Sequence, residues 1–112
     1  MDISITDFGG AAKRVTLTGK LHIAGARKIE LPLATLAGTR GSIVVDMVGV
    51  DFIASIGIRQ LVMAAKAVAR GAGRLVLLDP TPPVTDVLVS SGLIDLLPIV
   101  RTEDEARTAL AR

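Results

Sequence analysis

The chain has 112 residues, of which half are hydrophobic and only two are aromatic, and its formal net charge is +2. This length suits one domain with a single core, and we expect that domain to span residues 1–112. The absence of cysteine excludes disulfides, thiolate nucleophiles and cysteine-ligated metals. The basic residues are scattered and have no interleaved aromatics, so nucleic-acid binding is not expected.

Two stretches near the start of the chain, residues 2–6 and 14–18, alternate polar and apolar side chains. This alternation is typical of half-buried strands. Gly9 and Gly10 lie between the two stretches, which predicts an antiparallel hairpin. We expect Gly19 and Gly25 to bracket a connector that contains Lys20, Leu21 and the only histidine, His22.

Apolar residues at helical spacing over residues 26–36 predict a first helix that ends at Gly38. Pro32 removes a backbone donor inside it, so we expect a kink or a shorter helix. The apolar run at residues 43–47 predicts a strand that is buried on both faces. A short loop is expected to follow it, and the apolar stripe of residues 56–69 predicts a second helix.

The remaining residues predict two further strands and two further helices. Residues 75–78 form a buried strand, and Thr81 followed by two prolines indicates a helix start, with Val84, Val87 and Leu88 facing inward. A short edge strand is expected at residues 98–100, and residues 102–105 form a capping box that opens the last helix. The order is β-β-α-β-α-β-α-β-α, which predicts a single α/β domain with a mixed, mostly parallel sheet covered by about four helices.

The sequence does not favour enzyme chemistry. A catalytic triad would have to use His22, and the chain carries neither a Walker-type phosphate loop nor a dinucleotide fingerprint. We therefore expect no catalytic residue, no metal ligands and no cofactor. The acid at Asp2 is atypical of a signal peptide, and the apolar runs are too short to span a membrane. These features predict a cytoplasmic protein without membrane insertion.

The most informative segment covers residues 46–61, where a buried strand leads to a helix that begins near Ser55. One interpretation makes Ser55 only an N-cap, because a serine oxygen can accept an orphan backbone donor. The other makes it a phosphorylation switch, because a phosphate would add close to two negative charges. Phe52, Ile53 and Ile56 surround the serine with more apolar surface than a cap requires, and predict an exposed patch. Gly57 would allow another surface to approach closely.

Three short segments of this chain resemble the STAS domain, and specifically the anti-sigma factor antagonists. Residues 52–59 read Phe-Ile-Ala-Ser-Ile-Gly-Ile-Arg and are similar to the family's Asp-Ser-Ser-Gly-Leu-like helix start. Residues 77–82 resemble its passage from strand to helix, and residues 91–93 resemble its helix-ending Ser-Gly-Leu. The resemblance covers nearly the whole chain and implies a STAS-like fold.

The resemblance implies that this chain shares the family's mechanism, which is called partner switching. The unphosphorylated antagonist binds an anti-sigma factor, often a serine kinase, and so releases a sigma factor. The kinase phosphorylates the serine at the helix start, which ends binding, and a phosphatase resets the protein. By position, Ser55 matches the phosphorylated serine. The residues that the resemblance assigns to partner binding are His22, Asp51, Phe52, Ile53, Ala54, Ile56, Gly57 and Arg59.

The chain departs from the family pattern at two places. Ala54 replaces the acid that precedes the serine, and Ile56 replaces a second serine. In the connector after the second strand, Leu21 and His22 stand where the family commonly has an aspartate. Two alternatives stay open: a STAS subunit that docks on the ATPase of a lipid-transport ABC system, and a ligand or nucleotide sensor. A weak homodimer is also left open.

Overall fold

The computed structural model describes residues 1–111, and within them the nine elements follow the predicted order. The strands are β1 (Asp2–Gly9), β2 (Ala12–Leu21), β3 (Ile43–Ile53), β4 (Leu75–Leu78) and β5 (Ile99–Val100). The helices are α1 (Ile23–Ala37), α2 (Ser55–Arg70), α3 (Pro82–Ser90) and α4 (Glu103–Leu110). The fold class predicted from the sequence is therefore confirmed.

The strands form one five-stranded sheet in the order β1-β2-β3-β4-β5. β1 pairs antiparallel with β2, as the hairpin prediction requires, and the other three pairs are parallel. Gly9 and Gly10 form the hairpin turn with φ values of 108° and 56°, a region that favours glycine. Each later strand is followed by a helix, so the parallel pairs arise from successive crossover connections.

The sheet has a hydrophobic core on each face. The larger core contains the buried side chains of α1, α2 and α3, including Ile29, Leu61 and Leu88. The smaller core lies under α4, where Ala106 packs with Phe8 and with side chains of β3, β4 and β5. Successive residues of β3 and β4 alternate between the two cores. Their continuous apolar runs therefore reflect burial on both faces.

β2 and β3 both extend further than the sequence predicts. β2 reaches Leu21, so the first part of the connector predicted between Gly19 and Gly25 is strand. β3 has 11 residues and reaches Ile53, so most of the loop predicted after residue 47 is also strand. The pairing register of these strands shifts between Thr16 and Thr18 and again between Gly19 and Lys20. Because such bulges let a pair continue past an irregular residue, polar and glycine residues here do not end the strands.

The predictions of a shortened first helix and of an inward-facing Val87 are wrong. α1 runs without interruption over 15 residues, so Pro32 does not shorten it. A proline removes only one backbone donor from the helix. The packing of the buried face of α1 on the sheet offsets that loss, so the helix continues past Pro32. Val87 is 42% exposed and does not face inward, although Val84 and Leu88 are buried as predicted. Within residues 1–111, no helix has both the length and the apolar character needed to cross a membrane.

Candidate functional site

The start of α2 lies beside the start of α1, at the edge of the sheet where the parallel strands β2 and β3 end. Leu21 and Ile53 are partners in the last step of the β2–β3 ladder. The Ala54 N–H donates a hydrogen bond to the Leu21 carbonyl oxygen at 3.0 Å. His22 and Ala54 are the N-cap residues of α1 and α2. The sheet thus holds both helix N-termini at one edge, where ligands and partners of α/β proteins often bind.

Ser55 is the first residue of α2 and not its cap, so the N-cap interpretation is wrong. Ala54 occupies the cap position in an extended conformation (φ −106°, ψ 169°), and α2 begins without a side-chain cap. The Ala54 carbonyl oxygen accepts hydrogen bonds from the N–H groups of Gly57 (2.9 Å) and Ile58 (3.2 Å). The backbone therefore starts the helix one residue before the position that a serine cap would need. The side chain of Ser55 is exposed.

Gly57 is buried within the chain, which corrects its assignment to the partner surface. A Cβ atom at this position would lie 2.6 Å from Leu21 Cγ and 2.9 Å from the Leu21 carbonyl oxygen. The surface that approaches Gly57 closely is therefore β2 of the same chain. Gly57 lets α2 pack tightly on the end of β2 and so sets the position of Ser55.

The predicted apolar patch is only partly exposed. Ile53 is 4% exposed and belongs to the larger core, so it cannot offer its side chain to a partner, whereas Phe52 is 47% exposed. The two neighbours differ because successive residues of a strand point to opposite sides. Ile56 packs partly against the core, and Ala54 is also half-buried. The patch on the surface is therefore centred on Phe52.

Charged residues flank this patch. Asp51 is exposed, and its Oδ2 lies 3.6 Å from the Nζ of Lys20 on the neighbouring strand. Both side chains are more than half exposed, so this ion pair adds little to stability. It does present one charge of each sign beside Phe52. A partner that binds here meets polar groups around an apolar centre, which is the usual composition of a docking surface.

His22 acts as a helix cap. Its Nδ1 accepts a hydrogen bond from the Gly25 N–H at 3.1 Å, and the ring is half-buried. This bond satisfies one of the free donors at the start of α1. The ring therefore has a structural role at the start of α1. Within residues 1–111, no three His, Asp or Glu side chains come together in a way that could hold a metal ion.

A shallow depression of about 370 Å³ lies on the side of α2 where Ser55 is found. Arg59 and Lys66 line it together with apolar side chains, and Arg59 is exposed. Arg59 follows Ser55 by four residues, so the two side chains lie on the same face of the helix. The surroundings of the Ser55 hydroxyl are therefore positively charged. α2 has no acidic residue in its first turn to oppose that charge.

Two exposed apolar residues near this edge were not identified from the sequence. Ile23, the first residue of α1, is 59% exposed, and Val48 in β3 is 58% exposed. Ile23 follows the cap residue directly, so its position could have been inferred from a correct cap assignment. Val48 lies next to the bulged part of β3, and no pattern in the sequence indicates where a bulge turns a side chain outward.

Comparisons with known proteins define the class to which this fold belongs. Residues 6–106 match the family model of the STAS domain. A protein of Bordetella bronchiseptica that is named as an anti-sigma factor antagonist, BtrV, is 32% identical over 102 residues, which cover 86% of this chain and 87% of that protein. The chain therefore belongs to the STAS domain family, in its branch of anti-sigma factor antagonists.

Solved structures show the same fold. The unphosphorylated form of the anti-sigma factor antagonist SpoIIAA superposes with a TM-score of 0.78, at 24% identity and over 94% of this chain and 92% of that one. The phosphorylated form of the Bacillus cell fate determinant SpoIIAA gives a TM-score of 0.73 at 23% identity, over 99% of this chain and all of that one. At 23–24% identity, the similarity to these two structures establishes the fold of this chain alone.

Proposed function

We propose that this protein is a non-enzymatic antagonist that binds an anti-sigma factor and so releases a sigma factor. Phosphorylation of Ser55 by the anti-sigma factor, acting as a serine kinase, ends the binding, and a phosphatase restores it. The relative named as an anti-sigma factor antagonist supports the choice of partner over the ATPase of a transport system. The phosphorylated and unphosphorylated forms of SpoIIAA, which has the same fold, support the switch.

The observation that carries this proposal is the position of Ser55. Its side chain is exposed at the first position of α2, and α2 starts without any side-chain cap. A kinase can therefore reach the hydroxyl without breaking a hydrogen bond on which the helix depends. If Ser55 had been the cap, its modification would have removed a contact worth about 1 kcal/mol to the helix.

The same position accommodates a phosphate. A helix N-terminus carries the equivalent of about half a positive charge and has unpaired backbone donors. Arg59, four residues further along, adds a full positive charge on the same face. A phosphate brings about −1.5 to −2 charges at neutral pH. We therefore expect phosphorylation to leave the fold intact.

A bound partner responds differently to the same charge. An interface that covers Ser55 and Phe52 removes water from both, and a phosphate inside it would be buried away from solvent. One added phosphate can thus break the contact while the domain stays folded, which is the property that a switch requires.

Affinity capture from lysate of the source organism, followed by mass spectrometry, tests the proposal. The wild type and Ser55→Ala should both recover an anti-sigma factor. When the recovered complex is incubated with ATP, peptide mapping should find phosphate on Ser55 of the wild type. The Ser55→Ala variant should stay unmodified.

Ser90 provides an internal control, because it is an exposed serine at the end of α3. A kinase that selects the start of α2 leaves Ser90 unmodified. Recovery of a transport ATPase in place of an anti-sigma factor would contradict the proposed partner. Phosphate on Ser90 and not on Ser55 would contradict the proposed site.

A further inference from the structure

A second surface, away from the start of α2, has the features of an interface. α1 and α2 lie side by side on one face of the sheet, and a groove of about 320 Å³ runs between them. Its lining includes four alanines, at positions 34, 37, 64 and 67. Because alanine side chains are short, the two helix backbones form the walls and leave the groove open.

One large apolar side chain that lines this groove is exposed. Met63 in α2 is 61% exposed, although most large apolar residues of the chain are buried. A flexible methionine beside an alanine-lined groove is suited to enter a second groove of the same shape.

The charges at the two ends of the groove indicate which molecule it binds. Glu30 lies toward one end of the groove. Arg70 lies at the other end, where Gly38 also lines the groove. Neither charged side chain forms an ion pair within the part of the chain that the structure describes. The span from Glu30 to Gly38 is about 12 Å along α1. The groove thus carries opposite charges at opposite ends.

We propose that this groove is the interface of an antiparallel homodimer. A twofold axis perpendicular to the groove reverses its direction in the second copy, so Glu30 of each copy meets Arg70 of the other. A parallel arrangement would place like charges together and is disfavoured. In the antiparallel dimer, Met63 of each copy enters the alanine-lined groove of the other. The contact is small, and we expect a dissociation constant of about 10–100 µM, typical of weak interfaces.

This dimer leaves the phosphorylation site open. Ser55 lines a neighbouring depression on α2 with Val62 and Lys66, and it does not line the groove. Met63 is the one lining residue that the groove and this depression share, so the two surfaces adjoin at Met63. A dimer could bind one anti-sigma factor on each copy, and the state of Ser55 should not change the dimer.

Sedimentation equilibrium with charge-exchange variants tests the proposed geometry. Glu30→Arg and Arg70→Glu should each raise the dimer dissociation constant at least about tenfold, because each creates two pairs of like charges. The double variant restores both pairs with reversed sign and should return within about threefold of the wild type. Urea unfolding of each variant checks that it is folded.

A matched pair of alanine variants tests the groove itself. Ala67→Glu places a charged side chain inside the groove and should abolish the dimer. Ala69→Glu makes the same substitution on the same helix outside the groove and should not. A wild type that stays monomeric at millimolar concentration would overturn the proposal. So would a double charge exchange that fails to restore the dimer, or a Ser55→Asp variant that loses it.

Discussion

At the scale of single residues, Gly57 determines how closely α2 approaches β2. A Cβ atom on this residue would lie only 2.6 Å from Leu21 Cγ, and Leu21 is fully buried. Gly57→Ala should therefore lower the free energy of unfolding by about 1–3 kcal/mol, through overpacking. Urea unfolding measures this change.

Gly71 supplies the control for that measurement. It ends the same helix, and a Cβ there would meet its nearest atom, the Val68 carbonyl oxygen, at an ordinary distance of 3.6 Å. Gly71→Ala should change stability by less than about 0.5 kcal/mol. If Gly57→Ala were equally harmless, the tight packing of α2 on β2 would not be what positions Ser55.

His22 provides a second prediction at this scale, because its Nδ1 accepts the Gly25 N–H. His22→Ala should destabilise the protein by about 1 kcal/mol through loss of the cap. His22→Asp should retain the stability of the wild type, since a carboxylate caps well and also interacts favourably with the helix N-terminus. Thermal unfolding at neutral pH compares the three proteins. Equal stability of the alanine variant would show that the cap is dispensable.

At the scale of elements, the end of β3 separates surface from core within two adjacent residues. Phe52 is 47% exposed and Ile53 is 4% exposed. Phe52→Ala should weaken binding of the anti-sigma factor at least about tenfold, because aromatic residues at the centre of interfaces often dominate affinity. It should change the free energy of unfolding by less than about 1 kcal/mol. Calorimetric titration and urea unfolding measure the two effects.

Ile53→Ala should show the reverse pattern. Loss of a buried isoleucine costs about 2–5 kcal/mol of stability, while a variant that remains folded should keep the surface that the partner contacts. If Phe52→Ala left binding unchanged, the surface around Phe52 would not be the one that the anti-sigma factor uses.

The order of elements could be predicted because each signal is local. Hydrophobic periodicity, the glycine hairpin and the prolines at the start of α3 depend only on neighbouring residues, and all three are confirmed. The lengths of β2 and β3 could not be predicted, because their bulges depend on pairing between distant parts of the chain. Periodicity cannot report such pairing.

The site was predicted less completely than the fold. Ser55 was placed at the start of α2, but a single-residue difference in where the helix begins changes it from cap to exposed side chain. Ile53 and Gly57 were assigned to the surface although both are buried against the rest of the chain. Burial at a strand end depends on which neighbour lies beside it, and the sequence pattern alone does not contain that information.

At the scale of the whole molecule, α2 takes part in both proposed surfaces. Its start presents Ser55 at the edge where β2 and β3 end, while its flank forms one wall of the groove with α1, and Met63 lies where the two surfaces adjoin. Ser55 is exposed and does not line the groove. We therefore expect a change of charge at Ser55 to act on partner binding, with the fold and the proposed dimer unaffected.

The most direct test of the switch compares the affinity of the anti-sigma factor for wild type, Ser55→Ala and Ser55→Asp, with urea unfolding of the same samples. We expect Ser55→Ala to bind within about threefold of wild type. Ser55→Asp should bind at least about 30-fold more weakly, which corresponds to about 2 kcal/mol, while its unfolding midpoint stays close to that of the wild type. Equal affinity of all three proteins, or a loss of binding that accompanies unfolding of Ser55→Asp, would contradict the account.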